Sequence, residues 1–343
     1  MKIQDVLTGK CLQAISIKIK TKLVRLLQFK YLPWRNKVTF KVPADGLTYI
    51  SKIQERCDDL ISYGVWEGIT SIKLYKWLAN FETDEEKYFA ACLLDFLIYR
   101  SESQTLAMIE QLFTRVIPDL NVKSPMPIPP IDDWISHLNR ATLATDPGVR
   151  FVAVVQHGDH PGKSGDIIAR DFKRKFSINQ LLLIDATQVV ECHRNGINCF
   201  IFIDDFLGTG NQFKEVIIRE KIEPILPLIY AAYTPLTAHE TGIQAIERDF
   251  PSVHISPVET LTATYSVFND TCHCFIDGEN TVEAAKEFYL ALLQRKGINQ
   301  KGANRLGYGG LELAYVFNHA VPDNCLPLFW WYANTDFSPL FDR

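Results

Sequence analysis

No stretch of the chain approaches the roughly 18 consecutive apolar residues that a membrane-spanning helix needs, so a soluble protein is expected. A secretory signal is lacking too, because Lys18, Lys20 and Lys22 interrupt what would be its apolar core. The eight cysteines form no C-x-x-C pair, and without a signal they read as reduced thiols of a cytoplasmic protein. There is no internal repeat, no low-complexity tract, no G-x-S-x-G elbow and no H-E-x-x-H zinc motif. Acidic residues are nearly missing from one region: residues 1–44 hold ten Lys/Arg and only Asp5 against them.

What is present suits a globular fold. The chain has 343 residues, 47% hydrophobic and 22% charged, which excludes disorder, collagen and a bare disulfide scaffold. It is long enough for one large core or two ordinary domains. The net charge of −4 conceals +9 over residues 1–44 and −13 over the rest. A basic arm on an acidic body points to a polyanionic partner such as RNA or single-stranded DNA, or to an arm that docks on the acidic body itself. Within the arm, Ile15, Ile17, Ile19 and Leu23 alternate with Ser16, Lys18, Lys20 and Lys22, a period-two pattern that predicts a strand with one basic face.

Residues 45–118 carry helical stripes: Tyr49, Ile53, Cys57 and Leu60; Leu74, Trp77 and Leu78; Phe89, Leu93, Phe96 and Leu97; then, after a break near Ser101–Ser103, Leu106 to Val116. Residues 119–134, with Pro118 just before them, hold Pro125, Pro127, Pro129 and Pro130 and read as a stiff connector. From 135 to 343, strands are predicted at 151–156, 199–203, 225–233 and 253–256. Helices are predicted at 166–175, 211–220, 242–249 and 281–295. Such alternation predicts an α/β domain with a parallel sheet flanked by helices, whose ligands meet the carboxyl ends of the strands.

Two loops leave those strands. In the first, Gly158, Gly162, Lys163, Ser164 and Gly165 lead into a helix. Glycines aim amide donors, Lys163 adds a charge and the helix start adds a dipole, a combination that favours phosphate or pyrophosphate. In the second, five apolar residues end at Asp204 and Asp205, followed by Gly208, Thr209, Gly210, Asn211 and Gln212 at the start of a helix. Adjacent carboxylates are costly unless hydroxyls or a cation meet them. A ribose diol, with or without Mg²⁺ on Asp204 and Asp205, would do so, with the following amides holding a 5-phosphate.

Residues 200–212 resemble the diphosphate-sugar motif of type I phosphoribosyltransferases. The resemblance implies that Asp204 and Asp205 bind the ribose hydroxyls. Gly208 to Gln212 would form the 5-phosphate loop, and the loop at 157–165 the pyrophosphate loop. Gly208 and Gln212 depart from it, since each removes a hydroxyl from the phosphate cradle. Leu306–Gly310, Val316–His319 and Pro322–Trp331 resemble the phosphoribosyltransferase-like proteins of bacterial conflict systems, several of which accompany retron reverse transcriptases or other anti-phage loci. That likeness spans about residues 45–335. It implies an effector of anti-phage defence, with phosphoribosyl pyrophosphate or a related nucleotide as ligand. Asp204, Asp205 and Lys163 would be its catalytic residues, with Mg²⁺ as cofactor. Arg170, Lys173, Arg174 and Lys175 are candidates to cover the pyrophosphate, and His319 and Asn324 to face the acceptor.

Three other readings stand beside this one. The same fold could be a non-catalytic nucleotide sensor or part of a ribonucleoprotein, its basic arm gripping RNA or a reverse transcriptase. Gly158-x-x-x-Gly162-Lys163-Ser164 resembles the phosphate loop of nucleoside triphosphatases, one residue short. Cys272-His273-Cys274 with Cys192-His193 lacks the spacing of a zinc site and reads as a buried strand.

Overall fold

The computed structural model describes residues 39–127, 138–139, 146–155, 164–272, 274–275, 277–332 and 336–342. The basic arm up to residue 38, residues 128–134 of the proline-rich connector and the loop from Gln156 to Lys163 lie outside them. Two compact units divide the chain, Met1–Phe40 and Lys41–Arg343. Every helix and strand among the described residues lies in the second unit.

Its helical layer opens with α1 (Gly46–Ser62), α2 (Ser71–Leu78) and α3 (Asp84–Phe96). Side chains fix two of these starts: Thr70 Oγ1 accepts from Lys73 N, and Thr83 Oγ1 from Glu86 N, each at 3.2 Å. The break predicted near Ser101–Ser103 is a strand, β1 (Ile98–Arg100), and Ser101 then caps α4 (Glu102–Gln111) in a reciprocal capping box with Gln104. A π turn, Leu112–Val116, joins α4 to α5 (Ile117–Lys123). Pro118 therefore does not end the helix. It sits in the first turn of α5, where no N–H is needed, just past a turn already widened.

The main sheet is wholly parallel. It comprises β2 (Val149–Ala153), β3 (Leu183–Asp185), β4 (Cys199–Leu207), β5 (Tyr230–His239), β6 (Val253–Ile255) and β7 (Glu259–Leu261). The order is β3-β2-β4-β5-β6, with β7 also on β5. The apolar run at 225–229 falls mostly in a 3₁₀ turn containing Pro224 and Pro227, so β5 begins later than its hydrophobicity predicts. Pro235 explains the divided edge: β6 pairs with Ala231–Tyr233 and β7 with Thr237–His239, leaving Pro235, which has no N–H, in the gap.

Connecting helices are α6 (Ser164–Phe176), α7 (Val189–Arg194), α8 (Asn211–Arg219) and α9 (Glu240–Asp249), followed by α10 (Val282–Arg295). Phe200, Phe202, Phe213, Val216 and Tyr233 are core residues between sheet and helices. A second, two-stranded sheet pairs β1 in parallel with β8 (Tyr315–Phe317). The C-terminal segment also holds the helical layer: Trp77 Nε1 donates to Leu328 O at 2.8 Å, and Asn80 exchanges two hydrogen bonds with Ser338. Cys272 and Cys274 lie in a turn rather than the strand their pattern predicts, and His273 is outside the described residues. Among the described residues no helix is long and apolar enough to cross a membrane.

Candidate ligand site at the carboxyl edge of the sheet

Strand β4 does not stop where its apolar run does. It continues through Asp204 and Asp205 to Leu207, so both acids are strand residues and alternate between its faces. Both are buried. Asp204 Oδ2 accepts from Tyr233 Oη of β5 at 2.7 Å, and its Oδ1 accepts from Asp205 N at 3.0 Å. A Cβ on Gly165, at the start of α6, would stand 3.6 Å from Asp204 Oδ1 and 2.4 Å from Val154 O, so only glycine brings that helix start this close. Asp205 takes the other direction: its Oδ2 lies 3.5 Å from His319 Nε2, just past β8. His319 Nε2 is buried and makes no hydrogen bond among the described residues.

The acids therefore differ in chemistry. Burial, with the Asp205 charge second, holds the Asp204 carboxyl well above the ordinary 3.8. A raised folded-state value means that Asp204 favours the folded state fully below its unfolded value. That contribution is lost as pH rises towards the folded value. Asp204→Asn keeps an acceptor for Tyr233 and abolishes the titration. The melting temperature of the wild type, measured against this variant, should fall as pH rises above the ordinary carboxylate value of 3.8. A difference that stays constant as pH rises would show that Asp204 is not held protonated.

After Leu207 the chain turns through Gly208, Thr209 and Gly210. Gly210 adopts φ 84° as the N-cap of α8 and has no side chain to cap it; Asn211 N donates to Thr209 Oγ1 at 3.5 Å. The first amides of a helix have no intrahelical acceptor, which suits such a start to an anion. Asn211 Nδ2 donates to Tyr308 Oη at 2.9 Å, and Gln212 is exposed. Asn324 packs against Gly208, with Nδ2 donating to Tyr308 O at 2.8 Å. Gly158, Gly162 and Lys163 lie outside the described residues; Ser164 and Gly165 begin α6. Lys173, Arg174 and Lys175 fall in the last turn of α6, roughly 12 Å or more along its axis from Gly165.

Beside the acids lies a polar network that the sequence did not reveal. Arg100 of β1 donates through Nε to Tyr315 Oη at 3.0 Å and pairs with Glu259 of β7. Tyr315 Oη donates to Glu259 Oε2 at 2.7 Å and also meets Thr237 Oγ1 at 2.8 Å. Phe206, the one residue of β4 that is not buried, lies 5.9 Å from the Tyr315 ring. Tyr233 was missed likewise, since it meets Asp204 only through strand pairing. Among the described residues no three His, Cys, Asp or Glu side chains converge as a metal site.

No curated protein matches this sequence. The family model described as PRTase-CE matches residues 74–343, which include the sheet, both acids, the loop after them and the C-terminal segment that covers it. The chain belongs to the PRTase-CE family, and its α/β sheet with the acid-bearing strand β4 is a phosphoribosyltransferase-like domain.

Proposed function

We propose that this edge binds a ribose 5-phosphate group, as phosphoribosyl pyrophosphate or a related nucleotide, and acts at its anomeric carbon. The observation that carries the reading is the order of features along one strand and turn: a buried acid pair, then a helix start whose N-cap is a glycine. Asp205, whose carboxyl lies on the His319 side of the site, is the carboxylate assigned to the diol in this reading. The amides at the start of α8 take the 5-phosphate. Lys163 would meet the pyrophosphate.

In the transfer, the acceptor's lone pair forms a bond to the anomeric carbon. The bond to the pyrophosphate oxygen breaks and its electron pair leaves on that oxygen. The acceptor's proton passes to a base or to solvent. The site's task is to hold the ribose while positive charge develops on the ring. Mg²⁺, when bound, would neutralise the leaving group. The donor set fits an ion that Asp205 meets while water and the ligand's own phosphates complete its coordination, as Mg²⁺ prefers.

A second reading, a nucleotide-sensing module without turnover, is favoured by the missing hydroxyls at Gly208 and Gln212. In either case the protein would serve an anti-phage system, with residues 1–44 gripping RNA, single-stranded DNA or a reverse transcriptase. The test is calorimetric titration with phosphoribosyl pyrophosphate and Mg²⁺, beside ATP, for the wild type and Asp204→Asn/Asp205→Asn. Saturable binding of the sugar diphosphate, lost in the double variant, is expected. Binding of ATP alone would replace this reading with a triphosphatase.

A further inference from the structure

The C-terminal segment does more than pack near the phosphate loop. A Cβ on Gly208 would fall 2.1 Å from Asn324 Oδ1, 2.6 Å from its Cγ and 2.7 Å from its Nδ2. The carboxamide of Asn324 thus fills the volume that a side chain at 208 would occupy. Tyr308 is anchored at three points: its N–H donates to Asp323 O at 2.7 Å, its carbonyl accepts from Asn324, and its hydroxyl accepts from Asn211. A Cβ on Gly309 would come within 2.4 Å of Thr209 Cγ2, so the segment lies directly on the loop.

Packing alone does not account for these side chains. Asn324 is 4% exposed, yet among the described residues only one of its amide hydrogens has an acceptor. A buried amide left partly unpaired is unfavourable, and an apolar filler would cost less. The Tyr308 side chain is exposed, and its hydroxyl accepts from Asn211 while its own proton meets no acceptor among the described residues. A buried donor and an exposed one therefore lie at the turn that opens α8.

We propose that Asn324 and Tyr308 are phosphate-binding residues, and that the 5-phosphate cradle is composite. The backbone of residues 208–212 supplies one part and side-chain donors from the C-terminal segment supply the other. This rests on the reading of the 208–212 turn as the phosphate end of the ligand. The ligand class it selects is a sugar carrying a terminal phosphate monoester.

The experiment is titration of the full chain with ribose 5-phosphate, with pyrophosphate as a control probe and a thermal melt for each variant. Tyr308→Phe should weaken ribose 5-phosphate about tenfold and Asn324→Ala about tenfold or more, the usual loss for a hydrogen bond to a charged group. Asn324→Asp, which places a carboxylate on the cradle, should weaken it further while leaving pyrophosphate binding unchanged. Gly208→Ser alone should fail by collision with Asn324. Gly208→Ser/Asn324→Gly vacates the space and puts a hydroxyl in it, so binding should recover to within about threefold of the wild type. Wild-type binding with Tyr308→Phe and Asn324→Asp unchanged, both melting normally, would overturn the composite cradle and leave the sugar-phosphate reading intact. No binding of ribose 5-phosphate by the wild type would overturn both.

Discussion

Asp205→Asn should cost about 100-fold in affinity for phosphoribosyl pyrophosphate, whereas Asp204→Asn should cost tenfold or less. The ranking follows from where each carboxyl is spent. Asp204 has its two oxygens on Tyr233 and on the amide of Asp205, and burial pushes its carboxyl towards the neutral form. An amide in its place still accepts from Tyr233 and mimics that form. Asp205 faces His319 across 3.5 Å on the other side of the strand. Its role in the proposal is to accept from two ribose hydroxyls, and hydrogen bonds to a charged group contribute about 1.5–3 kcal/mol each. Losing both gives at least about 3 kcal/mol, which is on the order of 100-fold. Calorimetry on the two single variants separates them, with circular dichroism to confirm folding. Loss of binding in Asp204→Asn together with retention in Asp205→Asn would reverse the assignment.

Arg100→Met should destabilise the protein more than any surface change, by about 3 kcal/mol, because it leaves Glu259 charged and three-quarters buried without its partner. The melting temperature should drop by several degrees. Tyr315 loses a donor at the same time, and β1, which carries Arg100, pairs with the strand that leads into His319. Arg100→Met/Glu259→Gln removes both charges and should recover part of the loss. The non-additivity measures the pair. Single and double variants as stable as the wild type would mean that the network contributes nothing to the fold.

Some of this architecture was legible in the residues. The apolar run ending at Asp204 marked the central strand, and the glycines after it marked a turn into a helix. The Thr and Ser residues at 83, 101 and 281 mark helix starts through local hydrogen bonds that a sequence displays. Features set by distant partners were hidden. Strand β1 has three residues and reads as a gap between helices, because its hydrogen-bond partner lies in β8. β4 runs four residues beyond the Ile203 boundary, since nothing local shows that Tyr233 will accommodate Asp204 inside the sheet. The apolar character of 225–229 suggested a strand where two prolines impose a 3₁₀ turn. Asn324 looked like a turn residue, and only the fold places it over Gly208.

The pairing of β1 with β8 also sets a timetable. Tyr99 and its partner Val316 are 217 positions apart. At the usual translation speed of about 5–20 residues per second, β1 waits on the order of 10–40 s for its partner. Over that interval the sheet can form, but Trp77 lacks the carbonyl of Leu328, and the phosphate turn lacks Tyr308 and Asn324. A nascent chain arrested before residue 306 would carry both acids and the helix start of α8, yet no roof above them. In the proposed reading the segment from residue 306 onward is a latch made after the acids and the turn it covers, so that binding competence would arrive late in synthesis.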